Sequence, residues 1–456
     1  MAPPKEGTEP LQPNAVPPGT LRDEEFPGEA YLAVLTWLFG WWAITRLFFL
    51  EVSPYVFACA LAVHVRFRPP LGQVPPLADP VLIFIWPWSG PVAAACAGMA
   101  VYSFVTRSCW WWWLGAALAA CAAVYRRRHG AAKVKAAFDE LGRPRALFGP
   151  PPARPFITKL HGYLFTLFSV VEGRSKSERI RISRTKPDGC GVKVDVWTQD
   201  GVEQKNLPVL LFAHGGGWKG GGARMNPHSA MLQLLASRGW LVISVDYGMT
   251  KWPMQLEDCM AALRWVARGG AASLGADTSR IVLSGASAGG HIASLMMIQA
   301  HEERIPLAAS LLFYPALDPG DLSDVTSKFP IACKPLGVHA GQSMLHWFFE
   351  NFILGREKGM WPSATVLHDL QPDAGVTRSW PPTLVIHGLR DSVVPVEHSR
   401  NFLAMLASSE GRPMRTCDAL VEVPGGRHTF DIVHCDEAAE AFQGAASWLD
   451  VRVCSA

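Results

Sequence analysis

From about residue 178 onward, short apolar runs alternate with stretches of helical spacing, and this alternation limits the possible folds more than any other feature of the 456-residue chain. Val209–Ala213, Leu241–Val245, Ile281–Ser284, Ala308–Phe313, Thr383–His387 and Leu420–Val423 read as buried strands. Between them, residues 228–238, 256–268, 288–300, 396–407 and 435–449 have the spacing of helices. Strands that are apolar throughout have no polar face to turn to water. Helices inserted between them allow parallel neighbours, so the pattern predicts a mostly parallel sheet covered on both sides. No internal repeat is apparent.

Two glycine-rich segments sit at the ends of these strands. Gly285-Ala286-Ser287-Ala288-Gly289 follows the run Ile281–Ser284 and opens a helical stretch. Acyl transfer needs a hydroxyl held on a tight turn beyond the sheet, and small residues two places either side let that turn close. The second segment, His214-Gly215-Gly216-Gly217-Trp218, follows Val209–Ala213. A carbonyl under attack becomes an oxyanion and needs preorganised donors. Consecutive glycines bring backbone N–H groups close, which makes Gly215 and Gly216 candidate donors, joined by Ala288 after the serine. A phosphate loop fits less well, because no Gly-Lys-Ser/Thr follows and Trp218 is bulky.

A serine nucleophile needs a base, and the base needs an orienting acid. Asp391, in His387-Gly388-Leu389-Arg390-Asp391-Ser392-Val393-Val394-Pro395, and His428, in Pro424-Gly425-Gly426-Arg427-His428-Thr429-Phe430, each follow a later strand. Asp431 and Asp436 are rival acids, but both lie too near His428 in sequence to approach it from a separate strand end. His291, His301, His339, His346, His368, His398 and His434 read as structural or exposed.

From about 205 to 450 the chain resembles the hormone-sensitive-lipase-like group of α/β-hydrolases, especially bacterial membrane-anchored esterases of mycobacterial type. The resemblance rests on the segments at 214–218, 385–395 and 424–431, on Gly-Ala-Ser-Ala-Gly-Gly-His at 285–291, and on Leu-Glu-Asp-Cys-Met-Ala-Ala-Leu-Arg-Trp-Val at 256–266. It implies the α/β-hydrolase fold and ester hydrolysis through an acyl-enzyme, with Ser287, Asp391 and His428 as triad and no metal or organic cofactor. Two departures touch the substrate pocket: Asp246-Tyr247-Gly248 runs into a shortened loop up to Pro253, and the lid-like insert at 320–378 has no matching pattern. Trp218, Phe313, Tyr314 and the apolar residues Met344, Leu345, Trp347, Phe348 and Phe349 are candidates to line that pocket.

The N-terminal third has a different character. Apolar residues make up 49% of the chain and charged residues only 18%, a low share for a wholly water-facing enzyme. Residues 1–28, rich in Pro and Glu, read as a disordered leader. Within 29–128, three apolar segments (Tyr31–Leu50, Val81–Val105 and Cys109–Tyr125) predict about three transmembrane helices, the third opening with four tryptophans. Residues 129–177 read as a linker and amphipathic segment, and 178–456 as the catalytic domain. With three spans, Arg66 and Arg68 lie on the same side as Arg126, Arg127, Arg128, Lys133 and Lys135, which predicts a cytosolic catalytic domain.

A net charge of +3 and the lack of a long basic run give no sign of a nucleic-acid partner, and the ten cysteines show no zinc spacing. Three functional readings follow. The first is a membrane-bound carboxylesterase or lipase acting on a small or lipid-derived ester. The second keeps the chemistry but changes the bond: arylformamidases share His-Gly-Gly-x-Trp, and plant prenylcysteine methylesterases pair a similar domain with spanning helices. The third is a non-catalytic receptor on a hydrolase fold; such proteins lose a triad member, and this chain has candidates for all three.

Overall fold

The computed structural model describes Tyr125 and residues 128–141, 175–182, 191–201, 203–219, 222, 229–248, 252–317, 380–391, 393–408, 418–431 and 436–454. The leader, the three apolar segments up to residue 124 and the 320–378 insert lie outside the described residues.

Eight strands form a single sheet in the order β1-β2-β4-β3-β5-β6-β7-β8. They are β1 (Ser175–Ile182), β2 (Val192–Gln199), β3 (Leu207–Ala213), β4 (Leu241–Asp246), β5 (Ala276–Ala286), β6 (Ala309–Phe313), β7 (Thr383–Gly388) and β8 (Ala419–Val423). From β4 to β8 every pairing is parallel, whereas β1 and β2 add an antiparallel edge. The mostly parallel sheet expected from the alternation is therefore present, and each of the six apolar runs coincides with one of its strands.

The helices are α1 (residues 128–140), α2 (Ser229–Ser237), α3 (Met254–Ala267), α4 (Ala288–Glu302), α5 (Glu397–Ser408) and α6 (Asp436–Leu449). Alternate side chains of each central strand divide between two apolar layers. Leu211, Ile243, Leu283 and Val385 face one layer, where α3, α4 and α5 contribute Leu263, Ile292 and Phe402. Leu210, Val242, Val282 and Ile386 face the other, where α1, α2 and α6 contribute Phe138, Leu235 and Phe442. Helix α1 lies inside the stretch that the sequence assigns to linker. Its Phe138 ring occupies the space where a β-carbon on Gly444 of α6 would stand, so α1 docks through a notch cut by that glycine.

This stacking matters for function because it sets the carboxyl ends of β5, β7 and β8 on the same edge of the sheet, with β6 between β5 and β7. Ligands on sheets of this kind sit beyond the carboxyl ends of the strands.

Candidate active site

Ser287 stands between the last residue of β5 and the first of α4, with φ 54° and ψ −120°. Few L-residues adopt this conformation. The turn is enforced by packing: a β-carbon at Gly289 would lie 2.1 Å from the Ala213 carbonyl oxygen, and one at Gly285 would lie 2.2 Å from that of Gly289. The two glycines thus let α4 start directly against β3 and β5. The Ser287 N–H donates to Phe313 O at 2.9 Å, which ties the turn to the end of β6.

Backbone bonds also align the loops after β7 and β8. Leu389 N–H donates to Val423 O at 3.0 Å and Arg390 N–H to Gly426 O at 2.9 Å. A side chain at Gly388 would strike Gly426 O, so only glycine allows the loops to lie this close. Asp391 and His428 are thereby brought within reach of each other although 37 residues apart.

The resulting geometry is a continuous chain of polar atoms. Ser287 Oγ is 2.9 Å from His428 Nε2, and His428 Nδ1 is 2.7 Å from Asp391 Oδ2. The other carboxylate oxygen, Oδ1, accepts the N–H groups of Val393 at 2.9 Å and Val394 at 2.8 Å. Burial on its own would raise the Asp391 pKa, but the neighbouring His428 charge and the hydrogen bonds from His387 and His428 outweigh it and hold the carboxyl well below the usual range. An ionised Asp391 accepts the Nδ1 proton, which leaves Nε2 as the acceptor facing the Ser287 hydroxyl. Ser287 is only 8% exposed and His428 is half-buried.

Gly215 passes close to the serine: a β-carbon there would lie 3.6 Å from Ser287 Cβ and 3.0 Å from Ala286 O. Gly216, Gly217 and Trp218 all have positive φ, at 128°, 58° and 59°. Ala288 opens α4, where the first backbone N–H groups have no acceptor within the helix. The His214 ring is buried, stacked on Tyr247 at 4.0 Å between centroids, and its carbonyl oxygen accepts the Tyr247 hydroxyl at 2.8 Å. The Trp218 indole is buried and donates from Nε1 to His291 Nδ1 at 3.2 Å.

Of the acids weighed against each other, Asp391 contacts His428 Nδ1, whereas Asp431 Oδ1 accepts the Tyr314 hydroxyl at 2.5 Å. The Tyr314 ring stands edge-on to His428, 5.0 Å away. Phe313, one of the pocket candidates, is fully buried. It packs against Phe442 of α6 in the apolar layer. Residues 344–349, the other pocket candidates, lie outside the described residues.

Sequence reasoning missed His387. Its Nε2 is 2.9 Å from Val394 O and 3.4 Å from Asp391 Oδ2, while Nδ1 accepts the Ser399 hydroxyl at 2.7 Å. The signal available was its place at the end of a strand, four residues before the acid.

Residues 210–430 match the alpha/beta hydrolase fold. The matched region has the α/β-hydrolase fold. Among curated proteins, the hydrolase region is similar to esterase LipC from Mycobacterium tuberculosis, at 31% identity over 246 residues, 53% of this chain and 57% of the relative. Esterase LipQ from the same organism is 26% identical over 279 residues, 58% and 60% of the two chains. The chain thus spans a little over half the length of these relatives. A solved esterase from the fungus Rhizomucor miehei has the same hydrolase architecture, with a TM-score of 0.51 over 70% of this chain and 95% of that one. At 22% identity, that likeness is one of fold.

Proposed function

We propose that this chain is a serine carboxylic-ester hydrolase held at a membrane, acting on a small or lipid-derived ester. The observation that carries the reading is the aligned set Ser287 Oγ, His428 Nε2 and Asp391 Oδ2, spaced at 2.9 and 2.7 Å beyond the ends of β5, β8 and β7 on one edge of the sheet. The relatives named as esterases support the same chemistry.

The reaction follows from the geometry. Ser287 Oγ bonds to the ester carbonyl carbon as His428 Nε2 takes the hydroxyl proton. The carbonyl oxygen becomes an oxyanion, received by the N–H groups of Gly215, Gly216 and Ala288. Collapse breaks the alkoxy C–O bond, and His428 returns its proton to the departing alcohol. Water then repeats the sequence on the acyl-enzyme, restoring Ser287 and releasing the acid. Asp391 keeps the imidazole in the correct tautomer and stabilises its cation.

Membrane attachment is supported by the three apolar segments of the sequence. Among the described residues, no helix is long and apolar enough to cross a membrane. Tyr125, at the end of the third segment, is itself helical and 72% exposed, and the described part of α1 runs from residue 128. An exposed aromatic at that junction suits the headgroup level of a bilayer. Helix α1 then enters the domain beside the candidate site: Gly130 lies against Glu437, whose carboxylate accepts the Gly425 N–H in the loop leading to His428.

The test is labelling of the full chain by a fluorophosphonate probe together with turnover of p-nitrophenyl esters. Both are expected, and both are lost in Ser287→Ala. Folded protein that neither labels nor turns over would favour a receptor, and turnover of N-formylkynurenine alone would replace the ester by a formamide.

A further inference from the structure

The turn that carries Gly215 and Gly216 ends on a residue poorly suited to its backbone. Glycine tolerates a positive φ freely, but Trp218 at 59° does not, and such a conformation persists only where the surroundings hold it. Two polar contacts hold this one. Gln255 of α3 donates from Nε2 to the Trp218 carbonyl at 3.3 Å, and the indole N–H donates to His291 Nδ1 at 3.2 Å.

His291 is fully buried in α4, one helical turn after the serine, and its own N–H donates to Ser287 O at 3.1 Å. The ring lies between two indoles, edge-on to Trp218 with centroids 5.6 Å apart and tilted to Trp252 at 5.5 Å. An apolar side chain would fill such a place at less cost, because burying an imidazole sacrifices its hydration. What the imidazole adds is an acceptor at a fixed point, on a residue whose own N–H bonds directly to the backbone of Ser287.

We propose that His291 is a positioning residue, whose Nδ1 holds the Trp218 indole and so fixes the Gly215–Trp218 turn with its amides aimed at the oxyanion. This rests on the hydrolase reading above and assigns to His291 a role beyond core packing. His291 touches neither substrate nor the reacting atoms; it acts through Trp218.

The test uses the full chain in detergent micelles, with kcat and KM for p-nitrophenyl butyrate and the inhibition constant of a trifluoromethyl ketone. The adduct of that ketone with serine is an oxyanion, so its affinity reads the amides directly. Because removing a whole oxyanion donor costs about 10²–10³ in kcat, a displaced one in His291→Ala is expected to cost about tenfold or somewhat more. KM should stay within about twofold, and ketone affinity should fall by the same factor as kcat. Trp218→Phe keeps an aromatic ring but removes the donor, and should give a similar loss. His291→Asn, whose Oδ1 can take the place of Nδ1, should recover activity to within about threefold of the parent. The double variant Trp218→Phe/His291→Ala should be no worse than the poorer single one, since both break one contact.

Parental kcat in Trp218→Phe, a loss confined to KM, or fully additive losses would each overturn the proposal. If His291→Ala does not fold, Trp218→Phe and His291→Asn decide between the same outcomes. A parent chain with no ester turnover would remove the hydrolase reading and this proposal with it. An active parent with unaffected variants would remove this proposal alone.

Discussion

At Ser287, the proposed nucleophile, the chain holds an L-residue in a backbone region that glycine enters far more readily, with φ 54° and ψ −120°. Strain of this kind is worth about 1–3 kcal/mol and is maintained by the surrounding packing. Ser287→Gly should therefore unfold at a higher urea concentration than Ser287→Ala, by about 1 kcal/mol, although both lack the hydroxyl. Equal midpoints would mean that the turn carries no strain. The imidazole is a second residue-scale test. His428→Ala should lower kcat by about four orders of magnitude or more, as loss of the base does in triads of this type. Near-normal turnover would assign the proton transfer to another histidine. The carboxylate adds a pH signature. Folding lowers the Asp391 pKa, so its ionised form stabilises the domain above about pH 4, the ordinary range of an unfolded aspartate. That contribution is lost as the pH falls through the folded value. Asp391→Asn should flatten the acid limb of the stability curve, as read from urea midpoints between about pH 6 and 2. An unchanged limb would show that other carboxylates govern acid unfolding.

Elements differ in how openly their sequence declares them. The parallel strands β3 to β8 are buried on both faces, so their apolar runs leave little ambiguity, and the helices between them keep their spacing. Strands β1 and β2 are harder to see. They read Ser-Lys-Ser-Glu-Arg-Ile-Arg-Ile and Val-Lys-Val-Asp-Val-Trp-Thr-Gln, because an antiparallel edge can put polar residues among apolar ones. The first half of β5 is masked in the same way by Asp277, Ser279 and Arg280, which pair with one another at the surface. The site was legible where chemistry dictates residue type, at Ser287, Asp391 and His428. It was not legible where a side chain serves through a neighbour, as with His387 behind Asp391 or Tyr314 on Asp431, since such contacts have no fixed sequence spacing. Helix α1 was hidden by its charged surface, yet Val134, Ala137 and Phe138 are buried in the layer it shares with α6. Phe138→Ala should cost about 3–5 kcal/mol in urea unfolding of the full chain. A change below about 1 kcal/mol would mean that α1 only rests on the domain.

For the whole molecule, the proposed reading raises the question of what an esterase of this design would gain from a membrane tether. From Tyr125 to Gly130 the chain can extend no more than about 18 Å, at up to 3.6 Å per residue. Gly130 sits on Glu437, which also holds the Gly425 N–H. If the third apolar segment ends at a bilayer surface, the loop carrying His428 lies within a short distance of that surface. An ester dissolved in lipid would then meet the nucleophile without first crossing bulk water, and each methylene buried in the pocket would add up to about 0.8 kcal/mol. The full chain reconstituted in liposomes should accordingly raise its kcat/KM as the acyl group of p-nitrophenyl esters lengthens from acetate to octanoate. It should also stay with the membrane after alkaline carbonate extraction. A chain that partitions into the bilayer yet favours acetate would keep the anchor and lose the lipid ester as substrate. A chain released by carbonate would lose the anchor itself, and with it the reason for α1 to enter the domain beside His428. Protease treatment of sealed right-side-out membrane vesicles tests the remaining element, because a cytosolic domain is shielded there and an exported one is digested.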